Sequence, residues 1–155
     1  MEYRGYDSAG IALHQLDGVA HLRTLGKVQL LEDRMIEEKP RSKLGIAHTR
    51  WATHGEPSET NAHPHKSNEE VFIVHNGIIE NHLELKAELE KEGYSFASQT
   101  DSEIIAHLLD FNLKQGMTMI EAMFVSKEKL DGAYAIAAMH LSLIHISEPT
   151  RRRTI

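Results

Sequence analysis

Val71-Phe72-Ile73-Val74-His75-Asn76-Gly77-Ile78-Ile79-Glu80-Asn81 is the stretch on which the fold turns. Its first four residues form an apolar, β-branched run, the composition of a buried strand. The Asn76-Gly77 pair after them is ambiguous. Asn-Gly between apolar runs is the usual signature of a type I′ turn, which would fold Ile78-Ile79 back onto the strand. The same pair has a chemical reading: an Asn amide and a Gly N–H can both point at a developing negative oxygen, as in an oxyanion hole. Glycine permits the close approach because it has no Cβ. On the residues alone the turn is the better reading.

Upstream, Leu44–Ala47 is a second short apolar strand, and Thr49–Asn68 between the two reads as loop. That stretch carries Gly55, Pro57, Ser58, Asn61 and Pro64, and a loop so long is usually functional or disordered. Residues 10–24 alternate loosely (Ile11, Leu13, then Val19, His21), with Asp17-Gly18 as a hairpin signal. Val28, Leu31 and Met35 have helical spacing over 27–38, and Pro40 stops the helix. Downstream, Asn81-x-x-Glu84, Thr100-x-x-Glu103 and Thr118-x-x-Glu121 are capping-box patterns that open three helices. Gly93 and Gly116 sit where the first two should end. Ile104, Ile105, Leu108 and Leu109 stripe the second helix; Ile120, Met123, Phe124 and Leu130 stripe the third. Residues 133–139 read as a buried strand. The order β-β-α-β-(loop)-β-α-α-α-β suits mixed sheets covered by helices, an α+β fold.

The 155 residues suit one domain of ordinary size, with 41% hydrophobic and 26% charged residues. A net charge of -6, spread along the chain, points to neither nucleic acid nor an anionic membrane. No apolar run approaches a membrane span and the N-terminus has no signal-peptide core, so a cytoplasmic protein is the default. With 0 cysteines, disulfides, thiolate metal sites and a cysteine nucleophile are excluded for the chain as written. Leu141–Ile155 matches nothing before it. It resembles the read-through of a sequencing adapter and is expected to be a non-native tail after a domain spanning 1–140; a divergent strand with a basic end is the alternative.

Of 11 histidines, five fall between positions 48 and 75: His48, His54, His63, His65 and His75. His63-Pro64-His65 brings two imidazoles together, as a zinc site might, yet no carboxylate recurs at ligand spacing, so structural or hydrogen-bonding roles are the better account. Arg50-Trp51-Ala52-Thr53-His54-Gly55 follows a strand. The planar guanidinium suits a substrate carboxylate, with Thr53 and His54 as further donors; a surface arginine beside a packed tryptophan accounts for it equally. Asp101, just after a Thr100 cap, either favours the helix N-terminus or receives a substrate ammonium. An arginine for a carboxylate and an aspartate for an ammonium together recognise an α-amino acid.

Several long motifs in the right order then resemble one family. They are Glu2-Tyr3-Arg4-Gly5-Tyr6-Asp7-Ser8-Ala9-Gly10, Gly45 through Gly55, Asn61-Ala62-His63-Pro64-His65, His75 through Asn81, and Thr100-Asp101-Ser102-Glu103. The family is glucosamine-6-phosphate synthase, or glutamine–fructose-6-phosphate aminotransferase (isomerising). The likeness covers roughly residues 1–139. Amidophosphoribosyltransferase and asparagine synthetase, other class II amidotransferases, resemble the His48–Gly55 segment less closely.

The resemblance implies an N-terminal-nucleophile hydrolase fold, two sheets between helix layers. It implies L-glutamine as ammonia donor, fructose 6-phosphate as acceptor through an isomerase half, no metal or organic cofactor, and a homodimeric parent enzyme. It assigns Arg50, Thr53 and His54 to the glutamine carboxylate, Trp51 to the glutamine site and ammonia route, and Asp101 with the Gly77 carbonyl to the α-ammonium. Asn76 and Gly77 become the oxyanion hole, which overturns the plain turn. The family's first residue is a cysteine whose thiol attacks the amide and whose α-amine is the base. This sequence begins inside a later motif. It is therefore expected to be cut at both ends, without nucleophile, downstream strands or isomerase half, and to be inactive. A non-catalytic amino-acid-binding fragment is the competing class.

Overall fold

The computed structural model describes residues 6–51 and 55–141. The first hairpin joins β1 (Ser8–Gln15) to β2 (Gly18–Leu25). Gln15 pairs with Gly18, so Leu16-Asp17 forms the two-residue turn. Asp17-Gly18 marks the hairpin, one position off the turn's centre. Helix α1 (Val28–Glu38) comes next and ends at a left-handed Lys39, directly before Pro40. Strand β3 (Gly45–Arg50) pairs antiparallel with β1, giving a first sheet of order β2-β1-β3. The second sheet, of order β4-β5-β6, comprises β4 (His65–Ser67), β5 (Val71–Ile79) and β6 (Gly132–His140), all antiparallel neighbours. Between β5 and β6 come helices α2 (His82–Lys91), α3 (Glu103–Lys114) and α4 (Met119–Lys129).

Asn76-Gly77 makes no turn. β5 runs straight through it, with Asn76 opposite Ala135 and Gly77 opposite Tyr134. Gly77 has φ 142°, and a Cβ there would lie 2.2 Å from the Ala133 carbonyl oxygen and 2.6 Å from the Tyr134 Cα. The missing side chain lets β6 close onto β5 at this point. The Asn-Gly pair therefore serves a strand, and the hairpin it would have capped does not exist.

Alternation along β5 builds the layers. Val71, Ile73 and Ile79 point to one face and pack with Ile104, Ile105, Leu108 and Leu109 of α3. Phe72 points to the other and packs with Met139 against Ala12 and Ile46 of the first sheet. On the far side of that sheet, Ala9 and Leu22 bury Leu31 of α1, with Val28 and Met35 beside them. The order is helix, sheet, sheet, helices: the expected α+β arrangement of two sheets between helix layers.

Three local expectations are corrected. First, only Thr118 forms a capping box, accepting from Glu121 N at 3.3 Å while Glu121 accepts from Thr118 N at 2.8 Å. Asn81 spends its amide elsewhere, donating to the Lys129 carbonyl at 2.8 Å and accepting from Asp131 N at 3.0 Å. α3 starts at Glu103, so Asp101 lies ahead of the N-cap residue Ser102 and not in the first helical turn. Second, Ile120 and Phe124 of α4 are exposed, and its buried residues are Met119, Ala122 and Ser126. Of the expected stripe, Met123 and Leu130 do pack with the core, so the apolar spacing is right for half of its residues.

Third, the long polar segment is exposed loop only in part, at residues 55–57 and 59–60. It contributes β4, and residues 61–65 are all buried. Its backbone is satisfied from outside. Arg23 donates to the Thr60 and Ala62 carbonyls, His21 Nε2 bonds the Pro64 carbonyl at 2.8 Å, and Asn61 Oδ1 accepts from Gln99 N at 2.9 Å. The His63-Pro64 peptide is cis. The tail assigned to 141–155 falls, beyond Leu141, outside the described residues.

Burial ranks two substitutions. Leu109 is fully buried beneath β5, so Leu109→Ala should lower unfolding free energy by about 2–5 kcal/mol. Thr118→Ala removes an exposed cap and should cost about 1 kcal/mol. Urea denaturation of both variants checks the order; equal losses would contradict the packing described.

Candidate functional site

One cavity of about 660 Å³ opens where β3 and β5 leave their sheets and the loop before α3 arrives. Arg50, Trp51, Asn76, Gly77 and Asp101 all line it. These residues are far apart in sequence and are brought together by the end of β3, the Asn76-Gly77 stretch of β5 and the loop before α3. Thr53 and His54, the other two expected carboxylate donors, lie outside the described residues.

Arg50 closes β3 and is buried, 4% exposed. Its Nη1 donates to Asp7 Oδ2 at 2.9 Å and its Nη2 to the Gly55 carbonyl at 3.3 Å. Asp7 thus fixes the direction of the guanidinium fork, and Trp51 beside it is exposed. Asn76 is exposed and opposite in strand phase to the buried His75; Gly77, next along β5, is exposed as well. Asp101 is buried, 4% exposed, with Oδ2 accepting from Ile79 N at 2.8 Å and Oδ1 accepting from Ser102 Oγ at 3.3 Å. Its carboxylate is thereby tied to the end of β5.

Beneath these groups lies a cluster of imidazoles. His48 and His63 have ring centroids 4.4 Å apart, His63 and His65 4.7 Å, and His63 and His75 6.3 Å. Burial lowers all four pKa values, and neighbouring positive groups lower His48 and His63 further. His48 falls to about 4 and His65 to about 3. At neutral pH the cluster is therefore uncharged, with each ring packed as a polarised aromatic. Among the described residues no three His, Asp or Glu side chains are arranged to hold a metal ion. The cluster seats the loop: a Cβ on Gly10 would meet the His63 carbonyl oxygen at 2.1 Å, so β1 accepts this segment only where it carries glycine.

The sequence alone assigns Asp7, His75 and Ser102 no individual role, although each stands inside one of the motifs quoted above. Asp7 and Ser102 are marked by their bonds to Arg50 and Asp101, and His75 by its bond to Ser102, none of which a linear pattern carries.

The histidines fix an acid limit. Burial holds His21 and His48 at about 4 and His65 at about 3 in the fold, against 6.5 for the free side chain. Below 6.5 the unfolded chain takes up protons that the folded chain refuses, so stability falls with falling pH. Urea midpoints should be level above about pH 7 and decline from about pH 6.5 towards pH 4. A midpoint unchanged between pH 7 and pH 5 would contradict the buried, neutral cluster.

Comparison with known proteins agrees with this geometry. Residues 48–143 match the family described as "Glutamine amidotransferase domain". The chain is 55% identical over 140 residues to glutamine–fructose-6-phosphate aminotransferase [isomerizing] of Escherichia coli (strain K12), covering 90% of this chain and 23% of that protein. It is 52% identical over 140 residues to the enzyme of the same name from Vibrio parahaemolyticus, again 23% of its length. Among solved structures, glutamine phosphoribosylpyrophosphate amidotransferase from B. subtilis, complexed with ADP and GMP, superimposes with a TM-score of 0.73 at 28% identity, over 90% of this chain and 30% of that one. The "allosteric regulatory enzyme of purine biosynthesis" does so at 0.74 and 29%, over 89% of this chain and 30% of that one. The layers are those of the N-terminal-nucleophile hydrolases, and the chain belongs to the glutamine amidotransferase domain family.

Proposed function

We propose that this chain is the glutamine-holding portion of a glutaminase that supplies amide nitrogen to fructose 6-phosphate, giving glucosamine 6-phosphate and glutamate. The observation that carries the proposal is the convergence of Arg50 and Asp101 on one cavity with Asn76 and Gly77 between them in chain order. A guanidinium and a carboxylate in one pocket are the complement of an amino acid's α-carboxylate and α-ammonium.

In this reading Arg50, oriented by Asp7, receives the α-carboxylate, with Thr53 and His54 as further donors. Trp51 covers the site. Asp101 and the Gly77 carbonyl receive the ammonium. The side-chain amide of glutamine then extends toward Asn76 and the Gly77 N–H, whose donors face the oxygen that becomes negative as its carbonyl carbon turns tetrahedral. The attacking group in the family is a thiol; these 155 residues contain 0 cysteines. The chain as it stands holds glutamine without hydrolysing it.

Fructose 6-phosphate as acceptor rests on identity: 52–55% to the fructose-6-phosphate enzymes, against 28–29% to the phosphoribosylpyrophosphate and purine-biosynthesis enzymes. The chain spans 23% of the length of those fructose-6-phosphate enzymes. The isomerase half, homodimer formation and a cytoplasmic setting belong to the same proposal.

Calorimetry on the 155-residue chain tests it. L-Glutamine should bind and D-glutamine should not. Asp101→Asn should weaken binding at least about tenfold, the loss of a charge-assisted hydrogen bond of about 1.5–3 kcal/mol. No glutamate should accumulate. Absence of L-glutamine binding, or equal binding by Asp101→Asn, would contradict the assignment.

A further inference from the structure

Asp101 is one end of a chain of hydrogen bonds among buried residues in the cavity wall. Its Oδ1 accepts from Ser102 Oγ at 3.3 Å, and Ser102 Oγ lies 2.8 Å from His75 Nδ1. Asp101, Ser102 and His75 are all buried. A serine hydroxyl has one proton to give. An ionised carboxylate only accepts, so the Ser102 proton points to Asp101. Ser102 Oγ must then accept from His75, and Nδ1 of that ring must carry hydrogen.

The other ring nitrogen agrees. His75 Nε2 is buried with no hydrogen-bond partner among the described residues. A buried N–H without an acceptor loses its hydration for nothing, whereas a bare lone pair at the same place costs less. Both ends of the ring select the Nδ1–H tautomer. Strand phase makes this possible. His75 shares the phase of Val71, Ile73 and Ile79, the face of β5 that meets α3, while Asn76 next to it faces the other way.

We infer that His75 and Ser102 are positioning residues for Asp101: the relay His75 Nδ1–H to Ser102 Oγ–H to Asp101 Oδ1 fixes the rotation of the carboxylate about its Cβ–Cγ bond. The Ile79 N–H holds the second oxygen at 2.8 Å. With both oxygens clamped, the carboxylate presents one direction to the cavity. The relay thereby sets selectivity for ligands that carry an α-ammonium over those that lack one. His75 and Ser102 also lie in the cavity wall, both buried, and the role assigned to them acts through Asp101. The inference rests on the reading of Asp101 as the ammonium acceptor.

Two measurements on the full chain test it. Long-range nitrogen–proton correlation spectra of histidine-labelled protein report the tautomer of His75. The relay requires Nδ1–H; an Nε2–H tautomer overturns it, since Ser102 would then donate to the ring instead of to Asp101. The second measurement is the ratio of dissociation constants for 5-amino-5-oxopentanoate, which is glutamine without its amino group, and L-glutamine. In the unaltered chain the ratio should be well above one. Ser102→Ala should lower it by about tenfold, the scale of one hydrogen bond to a charged group. Ser102→Thr, which keeps the hydroxyl, should restore it, an outcome that general damage to the fold would not produce. An unaltered chain that binds both ligands equally overturns the Asp101 reading itself. A chain that discriminates equally well with alanine at 102 overturns the relay alone.

Discussion

The site depends on a backbone contact. Gly77 has no side chain, and β6 occupies the space one would need, with the Ala133 carbonyl oxygen 2.2 Å from the position of a Cβ. Because β6 can approach there, β5 continues for 9 residues and does not turn at Asn76. Because β5 continues, its alternation holds through the site. His75 is buried toward α3, Asn76 is exposed and lines the cavity, and Ile79 is placed where its N–H meets Asp101. One missing Cβ thus decides which side chains β5 buries and which it exposes.

Around that strand the polar groups of the cavity are held by hydrogen-bonded partners. Asp7 stands behind Arg50. Ser102 holds Asp101 and is itself held by His75. His48 and His63 line the cavity, His65 packs against His63, and burial keeps all three imidazoles neutral. A neutral cluster adds no positive charge beside Arg50. Its cost appears only in acid, where the unfolded chain gains protons and the folded chain does not.

Much of the architecture is legible in the sequence because it is periodic. The first hairpin, α1, the stripe on α3 and the strand at 133–139 each carry their apolar pattern in local order. What misleads is local signal overruled by distant partners. Three like capping patterns yield one capping box, because the Asn81 amide meets Lys129 and Asp131, and Glu103 accepts from Ala97 and Ser98 N–H groups instead. The segment 49–68 reads as loop because polar residues ordinarily seek water. Here Arg23, His21 and Gln99, remote in sequence, satisfy its backbone and side chains, so its middle is buried. Asn76-Gly77 reads as a turn because nothing nearby in sequence reveals β6. Resemblance to a family's motifs names the candidate site residues, and the cavity brings Arg50, Trp51, Asn76, Gly77 and Asp101 together. The supporting residues emerge only in three dimensions.

The central claim is that this cavity holds glutamine in one orientation. A crystal structure of the chain grown with L-glutamine tests it most directly. The account predicts the α-ammonium within hydrogen-bond distance of Asp101, the α-carboxylate on Arg50, and the side-chain amide oxygen turned to Asn76 and the Gly77 N–H. Glutamine seated elsewhere, or bound in this cavity with its α-carboxylate away from Arg50, would contradict it.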